Sequence, residues 1–308
     1  MAAAGGTTIA VDGIVPSLRE LLALRGIAQG RRGARRGAFA SSGHALSTMR
    51  GRGMEYAESR EYARGDDARH IDWRLTARSG RAHTKLFQAE RERLTLVIAD
   101  TAPALYFGTR TRFKSVQAAR AGALAAWIAV RDGDRIAALR GSLKEPPVAP
   151  ASGPRGALRV LDALVRWYAQ PPQDDAGLGV ALDHALRLLR PGSRMVLLAD
   201  PGSVLALGER RWPALAAHHE CIVLLLCDAL ELAPPQARLP FALAQGRVEL
   251  ALDAAATRQR WDSQFRQRLD DAQAQLATAG VRVAMLRGDA PTESWLPLLD
   301  RPRMTGAA

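Results

Sequence analysis

Between residues 94 and 287 the chain alternates short apolar runs with longer stretches in which apolar residues recur every three or four positions. Five runs, at 94–100, 135–140, 194–200, 221–228 and 281–287, are almost continuously hydrophobic, the pattern of strands covered on both faces. The windows at about 114–131, 155–169, 179–190, 208–219 and 254–279 carry helical spacing. Repeated strand–helix units predict an α/β fold: an open, mostly parallel sheet flanked by helices, with right-handed crossovers. Residues 241–252, interrupted by Gln245-Gly246, read as a hairpin added to that sheet. Such sheets take ligands at the carboxyl ends of their strands, where two runs end in Asp100 and Asp200.

The first third has another texture. Residues 16–25 carry a helical start, with apolar positions at Leu18, Leu21, Leu22 and Leu24, closed by Gly26 and Gly30. A Gly/Arg/Ser stretch to about Ser47 reads as a mobile connection. From Gly51 to Arg93 charge, Gly, Tyr and Trp are dense, with strand-like pieces such as 82–87. The expected organisation is an N-terminal helix and basic arm at 1–47, a small β-rich module at 48–93 and an α/β domain at 94–308.

Composition narrows the function classes. At 308 residues, 47% hydrophobic and 24% charged, the chain can bury a large core without disulfides or metal staples. No apolar run nears the ~20 residues of a membrane span, and the start lacks a signal-peptide pattern, so a cytoplasmic location is expected. Cys221 and Cys227 flank one strand and would lie roughly 20 Å apart, too far to bridge. Buried free thiols suit a reducing compartment.

The net charge of +12 comes from 40 Arg and only 3 Lys, beside abundant Ala, Leu and Gly. That skew looks more like codon composition than a surface selected for phosphate. The densest cluster, Arg31, Arg32, Arg35 and Arg36, has no ring interleaved, unlike surfaces that grip single strands by stacking.

The segment richest in information runs from Gly51 to Arg78. Gly65-Asp66-Asp67 is turn chemistry, since Gly takes positive φ and an Asp caps the following turn. Around it Arg60, Arg64, Arg69 and Arg74 alternate with Glu61, Asp66, Asp67 and Asp72. Fork-shaped guanidiniums beside carboxylates can form bidentate pairs. With Tyr62, Ile71 and the apolar Trp73 among them, the expectation is a charge-paired brace in which Asp72 is buried and Trp73 is the anchor. A partner-docking surface is the first competing reading, and a catalytic site the second.

These residues resemble a known family. The run 51–78, with Lys85-Leu-Phe, Glu90-Arg-Glu-Arg and Asp100 after it, is similar to the bacterial domain of unknown function 58 family, whose hallmark is Gly-Asp-Asp…Arg-x-Ile-Asp-Trp. Phe107-Gly108, Lys114 and Gly133-Asp134-Arg135 extend the match. The resemblance implies a von Willebrand factor A-like (Rossmann-like) domain behind a small β-rich module. It also implies association with MoxR-type AAA+ ATPases, as adaptor or assembly factor, and with other von Willebrand A-domain proteins. The family's biochemical activity is not established, so the resemblance supplies no reaction.

A von Willebrand A-type metal site needs Asp-x-Ser-x-Ser, a loop Thr and a further Asp, because Mg²⁺ prefers six oxygens and hydroxyls supply them without excess charge. Here the first motif reads Asp100-Thr101-Ala102-Pro103-Ala104, and the second loop, 174–180, has no Ser or Thr. Asp100, Thr101 and Asp200 are remnants of a degenerate site, and no metal or other cofactor is expected. His218-His219-Glu220-Cys221 lacks a second ligand cluster for zinc, and His70 and His83 stand singly. Gly51-x-Gly53 is not a dinucleotide fingerprint, and neither a Walker lysine nor a nucleophile elbow occurs. The leading expectation is a non-enzymatic protein-interaction module. The alternatives are a nucleic-acid binder using the basic N-terminal third and a metal-dependent hydrolase at Asp100/Asp200.

Overall fold

Leu96 and Ile98 belong to one hydrophobic core, and their chain neighbours Val97 and Ala99 to another. All four are fully buried. Successive strand residues face opposite ways, so this continuous run serves two cores at once.

The computed structural model describes residues 13–30, 54–63, 65–89, 93–243 and 246–299. The first third contributes α1 (Leu18–Ala23), α2 (Arg25–Gly30), β1 (Met54–Glu61), α3 (Trp73–Ser79) and β2 (His83–Ala89). Then come β3 (Leu94–Ala99), α4 (Lys114–Arg131), β4 (Arg135–Arg140), β5 (Val148–Ser152), α5 (Gly153–Ala169), α6 (Gly177–Leu188) and β6 (Arg194–Ala199). The last part holds α7 (Pro201–Ala206), α8 (Arg211–His218), β7 (Glu220–Cys227) and α9 (Ala229–Leu232). It continues with β8 (Arg238–Leu243), β9 (Gly246–Ala251), α10 (Ala255–Gln264), α11 (Arg266–Thr278) and β10 (Arg282–Arg287). The residues form two compact units: 54–89 lie in one, and 13–30 with 93–299 in the other.

The larger unit carries a six-stranded sheet in the order β10-β7-β6-β3-β4-β5. All neighbours are parallel except the β4–β5 pair. The mixed α/β architecture with a mostly parallel sheet therefore matches the pattern in the sequence. The chain goes one way from β3 to β4 and the other way to β6, β7 and β10, so the winding reverses between β3 and β6. That gap is where open α/β sheets ordinarily bind ligands.

The two faces are covered differently. α4 is buried nearly all round, because it lies between the sheet and α1, α2 and α5. Its small residues permit this: a side chain on Gly122 would meet Leu164 Cδ1 at 2.9 Å and Leu198 Cδ1 at 3.0 Å. α6, α7, α8 and α11 cover the other core. At the amino edge of the sheet, Glu220 (4% exposed) accepts from Arg93 at 3.2 Å, Arg194 at 2.9 Å and Arg282 at 2.8 Å. One carboxylate thus ties together residues at the starts of β3, β6, β7 and β10.

The expectations need four corrections here. The N-terminal helix is not closed at Gly26, which lies within α2, and the segment is part of the core. Leu21, Leu24 and Ala28 are buried in the core, Trp127 Nε1 donates to the Leu21 carbonyl, and Arg131 donates to that of Ala28. The hairpin β8–β9 pairs only with itself and forms a separate two-stranded sheet. The single helix expected at 254–279 breaks at Phe265, whose ring packs 4.6 Å from Trp261, itself 5.9 Å from Phe241 on β8. Finally, β5 was not anticipated, because Pro146, Pro147 and Pro150 read as loop; an edge strand tolerates proline. The basic stretch from Arg31 to Ser47, and Arg64, lie outside the described residues.

Candidate functional site

β3 delivers Asp100 and β6 delivers Asp200 to either side of the winding reversal. Asp100 is 2% exposed, and its carboxylate is fully engaged. Oδ1 accepts from the Ala102 backbone N–H at 3.0 Å and Oδ2 from that of Asp200 at 2.9 Å, and the Ser203 hydroxyl also bonds to it. Burial nevertheless pushes its pKa up to about 6, the hydrogen bonds opposing. Asp200 caps α7 by accepting from Gly202 N–H at 2.9 Å. Thr101, 1% exposed, donates to Asp175 Oδ1 at 3.0 Å. The second loop thus presents a carboxylate that receives Thr101, where a metal site would need a hydroxyl.

The residue that completes the site is Lys114, the first residue of α4 and one of only three lysines. Its side chain is 1% exposed, and its ammonium lies 2.6 Å from Glu231 Oε1 and 3.2 Å from Asp200 Oδ2. Burial works against the charge, but Glu231 and Asp200 together outweigh it and hold Lys114 protonated, its pKa above the ordinary lysine value. Glu231 is held in turn by a capping box after β7. Its Oε2 accepts from Asp228 N–H at 2.7 Å, while Asp228 Oδ1 accepts from Leu230 N–H at 2.9 Å. Asp228 also receives both the backbone N–H and the hydroxyl of Thr109. Sequence reasoning missed Glu231, although Asp228-Ala-Leu-Glu231 directly after a strand is a readable helix-start signal.

These residues do not fit an octahedral Mg²⁺. Ala102 and Ala104 offer no side-chain oxygen, Asp100 is spent on backbone N–H groups, and the space between Asp200 and Glu231 is taken by the protein's own cation. Among the described residues no group of three or more His, Cys, Asp or Glu is placed to hold a metal ion. A cleft of about 240 Å³ opens beside this cluster, lined by Asp200, Cys227, Glu231, Phe265 and Arg268 among others. The Cys227 thiol there is pushed up to about 12 by burial, so it stays protonated and unreactive. His83, by contrast, is engaged locally, 2.7 Å from the Arg81 carbonyl oxygen.

The smaller unit holds the hallmark residues on the antiparallel pair β1–β2 and the segment between them. Gly65 has φ +106°, the conformation the turn requires. Asp66 receives the Arg60 guanidinium at 2.7 Å and the Ala63 N–H at 2.9 Å, and Tyr62 donates to the Asp66 carbonyl at 3.0 Å. Asp67 accepts from Arg69 N–H at 3.0 Å, and Ile71 bridges to Thr84 on β2. Asp72 is the N-cap of α3: Oδ1 accepts from Leu75 N–H at 3.1 Å and Oδ2 from the Ser59 hydroxyl at 3.1 Å. The Leu75 N–H, with the Ser59 hydroxyl, holds its pKa below the usual aspartate value.

The buried brace with Trp73 as anchor is not what forms. Asp72 is only half-buried and serves as a helix cap, and Trp73 is 70% exposed. Arg69 and Arg74 have no ion pair among the described residues. The reason is geometric: Leu75 and Thr76 take the inward side of α3, where Thr76 Oγ1 accepts from His83 N–H at 3.0 Å, so Trp73 and Arg74 face away.

A family model described as Protein of unknown function DUF58 matches residues 58–274. Two curated relatives, the uncharacterized proteins Mb1516 of Mycobacterium bovis and Rv1480 of Mycobacterium tuberculosis, are each 31% identical over 201 residues. That alignment covers 63% of this chain and 61% of each relative, so the chain spans about three fifths of their length. No solved structure matches. The family match covers most of the chain, from within β1 to within α11, and the chain belongs to the family of proteins of unknown function DUF58.

Proposed function

We propose that this protein is a non-enzymatic interaction module, an adaptor or assembly factor working with a MoxR-type AAA+ ATPase, built on a von Willebrand factor A-like domain that needs no metal. The observation that carries this reading is the Lys114 ammonium lodged between Asp200 and Glu231 at the carboxyl edge. In a doubly wound sheet that position normally receives a ligand. Here it holds an internal counter-ion, and every carboxylate around it is spoken for. Asp100 is buried and both its oxygens already accept backbone N–H groups, so it offers a substrate little access, which disfavours a hydrolase. An edge whose carboxylates are held by the protein's own donors suits a surface whose work is to be recognised.

The test uses the full chain and a purified MoxR-type ATPase from the same genome. Saturable binding with a change in ATP turnover, insensitive to removal of divalent metal from the adaptor, is the expected result. Chelator-sensitive hydrolysis by this chain alone, abolished by Asp200→Asn, would overturn the reading.

A further inference from the structure

Five of the six tryptophans lie inside or half inside the protein, as large rings do. Trp73 is the exception at 70% exposed. It begins α3, and helical spacing sets Trp73 and Ala77 beside Arg74 and Arg78 on one side. All four are exposed. Neither Arg74 nor Arg78 has an ion pair among the described residues, and the same holds for exposed Arg69 just upstream.

We propose that this outer face of α3 is the surface by which the chain grips an acidic segment of a protein partner. The face has the composition of an interface hot spot, one Trp with flanking Arg, the residue types that dominate binding energy when desolvated. The guanidiniums call for carboxylates, which they take bidentately. Trp73 calls for an apolar or aromatic side chain set among those carboxylates.

The face is also held in place before any partner arrives. Asp72 caps one end of α3, Gly80 closes the other in the left-handed conformation, and Thr76 fastens the inner side to β2. Little ordering is left to do on association, which favours affinity.

Charge decides between an acidic protein and a nucleic acid. From Met54 to Ala89 seven Lys and Arg stand against six Asp and Glu. Asp66, Asp67 and Asp72 all lie within a few residues of the face. A polyanionic backbone needs an extended positive field, and single strands need several stacking rings. A local trio of guanidiniums beside one ring, with acidic neighbours, suits a short acidic protein segment.

This inference rests on the adaptor reading for its partner, so the experiment separates the two. The full chain, Trp73→Ala and the charge reversal Arg74→Glu/Arg78→Glu are compared against three probes: the MoxR-type ATPase, polyglutamate and a single-stranded DNA oligonucleotide. These side chains are exposed, so circular dichroism and Tm should match the parent for all variants. Covalent footprinting should modify Trp73 readily in the free chain and less in the complex. Each variant should weaken ATPase binding about thirtyfold, the scale of a hot-spot loss, and the reversal should abolish polyglutamate binding.

If the ATPase binds parent and variants alike, the surface is wrong and the adaptor reading stands. If the ATPase does not bind but polyglutamate binding is lost in the reversal, the surface stands and the adaptor reading falls. Trp73 protected in the free chain, or DNA bound more tightly than polyglutamate through Trp73, would overturn the proposal.

Discussion

The Lys114 ammonium sits 2.6 Å from a Glu231 carboxylate oxygen, with both side chains buried and 117 positions apart in the chain. Removing one partner of such a pair strands the other charge, at a cost of roughly 3–5 kcal/mol. Lys114→Met should therefore lower stability by about that amount in urea titrations. Lys114→Met/Glu231→Gln should recover part of the loss, because it leaves fewer uncompensated charges. A double variant no better than the single one would show that Asp200, not Glu231, dominates the pairing.

The same ammonium predicts indifference to divalent metal. A site with bound metal at a hundredfold excess over Kd would gain about 2.7 kcal/mol, an obvious rise in Tm. Millimolar Mg²⁺ should give none. A rise that disappears in Asp200→Asn would mean that the metal displaces Lys114.

Much of this site was legible in the sequence, and its logic was not. Asp100 and Asp200 could be placed at the carboxyl edge because each ends a continuous apolar run. Lys114 was visible only as a family-like residue, because its partners come from β6 and α9, far along the chain, and pairing at that distance leaves no local pattern. Trp73 shows the opposite limit. An aromatic among alternating charges reads as an anchor, yet which side of a two-turn helix faces inward depends on Thr76 meeting His83, a contact that spacing alone does not reveal. The helices and strands of the sheet fell within a few residues of their expected bounds. β5 did not appear at all, since proline masks an edge strand.

Asp100 makes stability depend on pH in a direction opposite to ordinary acid denaturation. Its folded pKa of about 6 stands above the ordinary aspartate value of 3.8, because burial disfavours the charge. The native state binds this proton more tightly than the unfolded chain does. The stabilisation is therefore complete below pH ~4 and is lost as pH rises through about 6, a change of about 3 kcal/mol. Asn cannot titrate, and its amide would oppose a backbone N–H at any pH. The stability difference between parent and Asp100→Asn should thus shrink by about that amount from pH 4 to 7.5. A difference constant across the window would refute the assignment.

At the amino edge Glu220 faces three guanidiniums. Glu220→Gln should cost roughly 3–5 kcal/mol, since Arg194 is itself only 4% exposed and loses its carboxylate partner there. The exposed pair Arg211–Asp183, 2.7 Å apart, provides the contrast. Asp183→Asn should change stability by no more than about 1 kcal/mol. Urea unfolding of the two variants side by side reads the ratio, and equal losses would contradict the burial argument.

The N-terminal helices give the sharpest test of the fold. The apolar spacing at 16–25 by itself describes one short amphipathic helix. In the structure Leu21 and Leu24 are buried on α4, and burying one such side chain stabilises by about 1.5–3 kcal/mol. Removal would also expose Trp127 and leave its Nε1–H without the Leu21 carbonyl. The loss reaches about 5 kcal/mol, comparable to the whole stability of an ordinary domain. A chain lacking residues 1–30 should therefore be recovered mainly as aggregate. Deletion is a blunt variant, so Leu21→Ala supplies the graded one, with an expected loss of 2–5 kcal/mol from transfer and cavity terms. Leu22→Ala, 39% exposed on the outer side of the same turn, should be nearly silent. Unfolding curves that coincide for Leu21→Ala and Leu22→Ala would mean that α1 does not dock on α4 in solution.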